Sequence, residues 1–494
     1  MTASVKRPSH DKVVACRYLP SFPNEGSEIS FDLENMDFDL CTHLIYTTTE
    51  DLTTIFSREW AAKFLENDYT KLVTIKNKYN HLKISLGIKF RGSTYEYQQI
   101  TENTNIESFM EFAKDSLLEY DSDGLDMALD YLRGSDVSYG SNHFDFYVAF
   151  SYCEKFQKSF KPYNLLLTLS FNAEASDLVP PPNHQYIAVY DDFDDYDMDT
   201  DVDLTDHMAE NYAALAKNVD YIHFTMLYST DMNFHGLSDI EIELNQNIDN
   251  IWYIIKTVIQ SGVNSSKIVM GLQFFGFKLS KNSNDHKLGA VKFEEILGYN
   301  EICDFHSEVK DIWQPGTVGV FNPYTLACDE VTLRNEKSYV FLYENTRSIA
   351  NKVRLMMKYD IAGILASPIN NDDYRGACDI PEETFTDFTV DQGSFKWIPH
   401  RDHPNFRLLT TINDVIVVTL HEMDRMHATK VVTEYCFYIL YLLGAIVTLL
   451  ALKFITINLW RRWKKWRNAG KYKSIEGSNV CLLENNKSDG KYPE

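Results

Sequence analysis

Asp126 and Asp130 are the side chains whose spacing suits acid–base chemistry. In the stretch Asp123-Gly124-Leu125-Asp126-Met127-Ala128-Leu129-Asp130-Tyr131, positions 126, 128 and 130 alternate, so on a β-strand they share one face. That face carries two carboxylates with Ala128 between them. Two carboxyl groups on one surface can divide the work of proton donor and charge stabiliser. A structural reading is preferred to this: inward carboxylates are costly unless hydrogen-bonded or neutral, so the pair is better read as part of a buried polar network. Tyr131 and Tyr228 are open to the same two readings, as core residues or as cleft residues.

A strand that presents such a face needs neighbours. Apolar runs recur at Val13–Tyr18, Thr42–Tyr46, Leu82–Phe90, Gly124–Tyr131, Leu165–Phe171, Tyr221–Tyr228, Lys267–Phe275 and Ile361–Ile369. Amphipathic stretches lie between them, among them Ile106–Tyr120, Ile240–Ile259 and Tyr343–Tyr359, with apolar residues three and four apart. Alternation of strand and helix predicts a parallel α/β fold, and eight units predict a (β/α)8 TIM barrel. The gap at about 276–342 is too long for one helix and predicts a small inserted α+β subdomain. The expected organisation is an N-terminal extension (1–11), a barrel (12–390), a membrane-proximal connector (391–430), a transmembrane helix (431–460) and a basic cytoplasmic tail (461–494), polar and disordered beyond Trp466.

The net charge of the 494 residues is −24. From Lys453 onward ten Lys/Arg face four Asp/Glu, so the tail carries +6 and the remainder −30. So acidic a body argues against nucleic acid as a partner. Asp191 to Asp206 holds nine aspartates. Asp195, Asp197, Asp199 and Asp206 have the spacing of a calcium loop, but Thr200 stands where the turn glycine belongs. A solvated acidic loop is the better reading, and neither a metal nor a cofactor is expected.

Tyr435 to Leu452 is an uncharged run of eighteen residues, long enough to cross a bilayer core. Arg461, Arg462, Lys464, Lys465 and Arg467 follow, interleaved with Trp460, Trp463 and Trp466. Positive charge beside an aromatic belt marks a cytoplasmic end, which puts the barrel outside the cell or in a lumen. The first twenty residues show no apolar leader. The opposite arrangement, a cytosolic body on a tail anchor, would send the basic tail across the membrane. Asn264-Ser265-Ser266 is a glycosylation sequon on the outer side of the preferred topology. Six cysteines lie before the span (16, 41, 153, 303, 328 and 378), which permits disulfides without requiring them.

Asp123–Tyr131 resembles the fourth-strand motif of family 18 chitinases, DGxDxDxE followed by Tyr, with Ala128 at its middle Asp and Asp130 at its Glu. The resemblance spans roughly Lys12 to Cys378. Val13–Tyr18 is similar to the family's first strand and Cys41-Thr42-His43-Leu44-Ile45-Tyr46 to its second. Ser85-Leu86-Gly87-Ile88 resembles SxGG with its last Gly lost, and Met226-Leu227-Tyr228-Ser229 resembles MxYD with Ser229 for Asp. Gly363–Ser367 aligns with the last strand, with Ser367 in place of a Trp, and a second Trp is replaced by Lys89. Asp372-Asp373-Tyr374 and Cys378 follow in order. The resemblance implies disulfides Cys16–Cys41 and Cys303–Cys378. It also implies a substrate-assisted reaction in which a Glu protonates the leaving oxygen while an Asp orients the sugar's N-acetyl group.

Here those roles fall on residues that cannot fill them. Asp130 is one methylene short of Glu, and a misplacement of roughly an ångström costs about a hundredfold in rate. Ala128 supplies no charge, and loss of one preorganised group costs about 3 kcal/mol. Asp123, Asp126, Asp130, Tyr131 and Tyr228 then form a vestigial motif with Ala128 and Ser229, and no catalytic residue is expected. Asp126, Asp130, Tyr131, Tyr228 and Ser367 are the candidate ligand cleft. The reading is a non-catalytic, membrane-anchored chitinase-like protein that binds a glycan (chitin or N-acetylglucosamine-type) or a protein partner. The alternative is a weak glycosidase on chitin-like N-acetylated glycans, with Asp130 as acid. Signalling through the short tail is a third, less supported reading.

Overall fold

The computed structural model describes residues 9–20, 31–51, 69–90, 106–129, 146–172, 207–225, 248–281, 291–315, 327–333, 338–378 and 405–479. The chain divides into two units, Met1–Leu420 and His421–Glu494.

All eight apolar runs form strands of one closed barrel. These are β1 (Val13–Tyr18), β2 (His43–Asp51), β3 (Lys83–Phe90), β4 (Gly124–Leu129), β5 (Leu166–Asn172), β6 (Tyr221–Thr225), β7 (Ile268–Gln273) and β13 (Gly363–Ser367). Every neighbouring pair is parallel, and β13 closes the ring between β1 and β7. Strands covered on both faces read as continuous apolar runs, as in VVACRY and IVMGLQ. Alternation then sorts each strand. Val13 and Ala15 join Ile45, Val269 and Leu365 in a small cluster inside the barrel, whereas Val14 and Cys16 join the large core between strands and helices. Two glycines mark close strand approaches: a Cβ on Gly363 would lie 1.9 Å from the Val13 carbonyl oxygen, and one on Gly124 would lie 2.3 Å from that of Leu166.

The helices that cover the barrel include α1 (Tyr69–Lys78), α2 (Ile106–Glu119), α3 (Phe146–Phe160), α4 (His207–Ala216) and α5 (Ile248–Gln260). The insertion is a five-stranded antiparallel sheet built from β8 (Phe275–Lys281), β9 (Val291–Gly298), β10 (Trp313–Pro315), β11 (Ala327–Thr332) and β12 (Ser338–Tyr343), with helix α6 (Tyr299–Val309) following β9. Its described strands run from Phe275 to Tyr343. Helix α7 (Thr346–Lys358) returns the chain to β13, its N-terminus capped by Asn345, whose Oδ1 accepts from the Ser348 amide at 2.9 Å. Both disulfides implied by the resemblance are present. Cys16–Cys41 staples β1 to the approach to β2, and Cys303–Cys378 staples the insertion to the segment after β13.

The segment expected to be a connector, 391–430, differs where it is described. Helix α8 begins at Arg407 and runs to Asn479. In the first unit its residues Leu408, Leu409, Ile412, Val415 and Ile416 are buried in the barrel's core. It occupies the place of the helix that follows the last barrel strand. Asp372 accepts from the Leu408 and Leu409 amides at 3.2 and 2.9 Å, satisfying donors that a helix start leaves unpaired. Asn413 donates to the Leu40 carbonyl at 3.0 Å and pairs with His10, so the described end of the N-terminal extension also packs here. In the second unit, the most apolar window of α8 has a mean hydropathy of 2.2 and none of it is buried. The helix continues through the tail to Asn479, where a disordered segment was expected.

Candidate functional site: a filled barrel lumen

Asp126 points into the barrel, as its parity predicts: its neighbours Leu125 and Met127 lie in the outer core, and Asp126 is 1% exposed. Strand register brings Thr168 beside it on β5, with Ser170 beside Ala128 and His223 beside Ser170. Arg17 reaches it from β1, three strands away round the barrel, so that contact crosses the lumen. Asp126 Oδ1 accepts from Thr168 Oγ1 at 2.6 Å and lies 3.0 Å from His223 Nδ1. Its Oδ2 accepts from Arg17 Nη2 at 2.7 Å, and Ser170 Oγ lies 3.0 Å from both oxygens. Ser170 in turn accepts from Arg17 at 2.5 Å. Burial is the largest influence on Asp126 and opposes its charge, but the Arg17 guanidinium and the contacts from His223 and Thr168 together outweigh it and hold the carboxyl well below the usual carboxylate range.

His43, also inward on β2, sits edge-on to Tyr221 with ring centroids 5.8 Å apart. Burial, reinforced by the nearby His223, pushes its imidazole down to about 4. The lumen therefore holds the Arg17–Asp126 ion pair together with His43, His223 and the hydroxyls of Thr168 and Ser170, each from an inward position of its strand.

The predicted site residues separate. Asp126 lies in this network and Ala128 follows it one pleat along, half-buried. Ser367, 9% exposed, ends β13. Asp123 does not face the lumen. It precedes β4 and its Oδ2 accepts from the Ile84 amide of β3 at 2.8 Å, a structural role. Asp130, Tyr131, Tyr228 and Ser229 lie outside the described residues, as does the acidic stretch 191–206, and of Lys89 only the backbone is described. Asn264 is exposed, and its Oδ1 accepts from the Ser266 amide at 3.0 Å. Cys153 is buried, and burial pushes its thiol up to about 12, far from a reactive thiolate. Among the described residues no group of three or more His, Cys, Asp and Glu is arranged to hold a metal ion.

Arg17, Thr168, Ser170 and His223 went unrecognised in the sequence. Their signal is parity: each is a polar residue at an inward position of an otherwise apolar strand, as in VVACRY, LLTLSFN and YIHFT. What parity could not supply is the partner, since residues 17 and 126 meet only when the barrel closes.

Comparison with known proteins agrees with the fold. The model of glycosyl hydrolases family 18 matches residues 18–372. "Probable chitinase 2" of Drosophila melanogaster is 26% identical over 452 residues, covering 84% of this chain and 83% of that protein. Among solved structures, the Group IV chitinase of Ostrinia furnacalis, crystallised with allosamidin, superposes with a TM-score of 0.57 at 19% identity, covering 83% of this chain and all of that one. Human YKL-39, described as a pseudo-chitinase with retained chitooligosaccharide binding, superposes at 0.51 with 19% identity, covering 82% of this chain and 99% of its own. The barrel, its insertion, its two disulfides and these matches together establish that the chain belongs to family 18 of the glycosyl hydrolases.

Proposed function

We propose that this protein is a membrane-anchored, non-catalytic member of its family that binds N-acetylglucosamine-type glycans in the barrel cleft. The observation that carries the proposal is the state of the fourth strand. Ala128 has no group to orient an N-acetyl oxygen, and the neighbouring Asp126 is already committed to Arg17, Thr168, Ser170 and His223. A carboxylate held by a guanidinium, two hydroxyls and an imidazole is a poor proton carrier, because each contact favours its charged form. The shortened acid Asp130 and the replacements Ser229 and Ser367 point the same way. Retained chitooligosaccharide binding in the YKL-39 pseudo-chitinase supports a glycan as ligand. A protein ligand is the reading to adopt if chitin is not retained, since two aromatic platforms expected for stacking are absent.

The exposed apolar run of α8 supports a single membrane span. The two disulfides support an oxidising compartment for the barrel, hence a lumenal or extracellular body with a cytoplasmic tail.

The test is twofold. Purified full-length protein in detergent should stay on chitin beads and release no fluorophore from chitooligosaccharide substrates. Turnover by the natural protein would overturn the non-catalytic reading. Competing with it is a weak glycosidase, kept in view by the retained Asp126 and Asp130. That reading requires Ala128→Asp with Asp130→Glu to raise a rate already measurable, and a null result in both forms removes it.

A further inference from the structure

Between Tyr435 and Ile475 the chain contains no Asp or Glu, whereas eight Lys and Arg fall there. Five of these, Arg461, Arg462, Lys464, Lys465 and Arg467, lie within two turns of α8 beyond the last apolar residues, together with Trp460, Trp463 and Trp466. The three indoles are 58%, 51% and 76% exposed. Lys464 Nζ lies 5.2 Å from the Trp460 ring and the Arg467 guanidinium 5.1 Å from the Trp463 ring, both cation–π pairs one turn apart.

The arrangement of these charges is informative. Residues four apart stack along a helix, so positions 460–467 form four rows: 460 with 464, 461 with 465, 462 with 466, and 463 with 467. Every row carries a cation. A helix lying flat on a membrane would confine its cations to one side and its apolar residues to the other. Here the cations spread over well more than half of the circumference, while the indoles, at successive steps of three, share the remaining side directly after an apolar run that is exposed all round. That fits a helix leaving a membrane through its headgroup layer, with the indoles at the depth where they are most favourable. No carboxylate of this helix is within four residues of this stretch, so its cations have no acidic neighbour one turn away on the helix. Guanidinium and ammonium groups at that depth meet phosphate oxygens, and arginine can grip them in pairs.

We propose that Trp460–Arg467 is a collar that selects anionic phospholipids around α8. The inference rests on the reading of α8 as a membrane span. Its test uses full-length protein reconstituted in phosphatidylcholine vesicles containing a minor fraction of either brominated phosphatidylserine or brominated phosphatidylcholine. Quenching of tryptophan fluorescence is read as the difference from a Trp460→Phe, Trp463→Phe, Trp466→Phe variant, which isolates the collar. Brominated phosphatidylserine should quench at least about threefold more than brominated phosphatidylcholine. The preference should fall towards one in an Arg461→Gln, Arg462→Gln, Lys465→Gln variant. Equal quenching by the two lipids in the natural protein would overturn the collar while leaving the span intact. Absence of quenching by either lipid would overturn the span itself, and the collar with it.

Discussion

Removing the Arg17 guanidinium would leave the 1% exposed Asp126 with Thr168, Ser170 and His223 as its polar partners and without its guanidinium. Breaking a buried pair in this way costs about 3–5 kcal/mol. Arg17→Met should therefore lower the unfolding temperature at neutral pH. The deficit should shrink as the pH is lowered. In the natural protein the Asp126 carboxyl titrates below its unfolded value, so its contribution is present at neutral pH and lost only under strongly acid conditions. In the variant, burial without the cation raises the carboxyl, and the penalty grows as the pH rises above about 4. Thermal unfolding of both proteins at pH 4 and pH 7 checks this, and a pH-independent difference would contradict it. His43 gives the opposite slope. Its imidazole titrates at about 4 in the fold against 6.5 in the unfolded chain. The unfolded state binds more protons between those values, so stability should fall as the pH drops from 6.5 to 4, by up to about 3 kcal/mol. His43→Phe should flatten that part of the profile. Of this network only Asp126 was legible in the sequence, because parity reveals which face a residue takes but not which residue 109 positions away will meet it.

The strands share a device at their beginnings. Thr42 precedes β2 and its hydroxyl accepts from the Val14 amide of β1 at 2.9 Å. Asp123 does the same for Ile84 of β3, and Asp220, just before β6, for Leu167 of β5, each at 2.8 Å. A side chain just before one strand thus satisfies the amide of the second residue of its neighbour, whose first amide is already bonded to a backbone carbonyl. Asp220→Ala should cost about 1–3 kcal/mol by leaving the Leu167 amide without its acceptor, measurable as a lower midpoint in denaturant. The existence and order of all eight strands were legible because parallel strands are apolar on both faces. The last barrel helix was not. The sequence from Arg407 to Leu420 merges without a break into the apolar run beyond it, and nothing in its own pattern separates a face packed on the barrel from a link to the membrane. Only the acceptor offered by Asp372, distant in sequence, marks where that helix begins.

At the scale of the molecule, the fold keeps the frame of a chitinase while its lumen is filled by an internal ion pair. Reconstruction of the lost groups offers a direct measure of how far that filling matters. Ala128→Asp alone adds a carboxylate one pleat from Asp126 in a lumen whose one guanidinium among the described inward residues is already engaged. It should therefore destabilise the barrel by about 1–3 kcal/mol, seen as a lower unfolding temperature. A stabilising result would mean that Arg17 has charge to spare.

The bond between Cys303 and Cys378 closes a loop with a sequence separation of 75. That loop contains much of the insertion, α7 and the last barrel strand. A protease that nicks the chain anywhere inside it will therefore not release a fragment. The cleaved protein will migrate as one species on a gel until a reductant is added, and only then fall into two pieces.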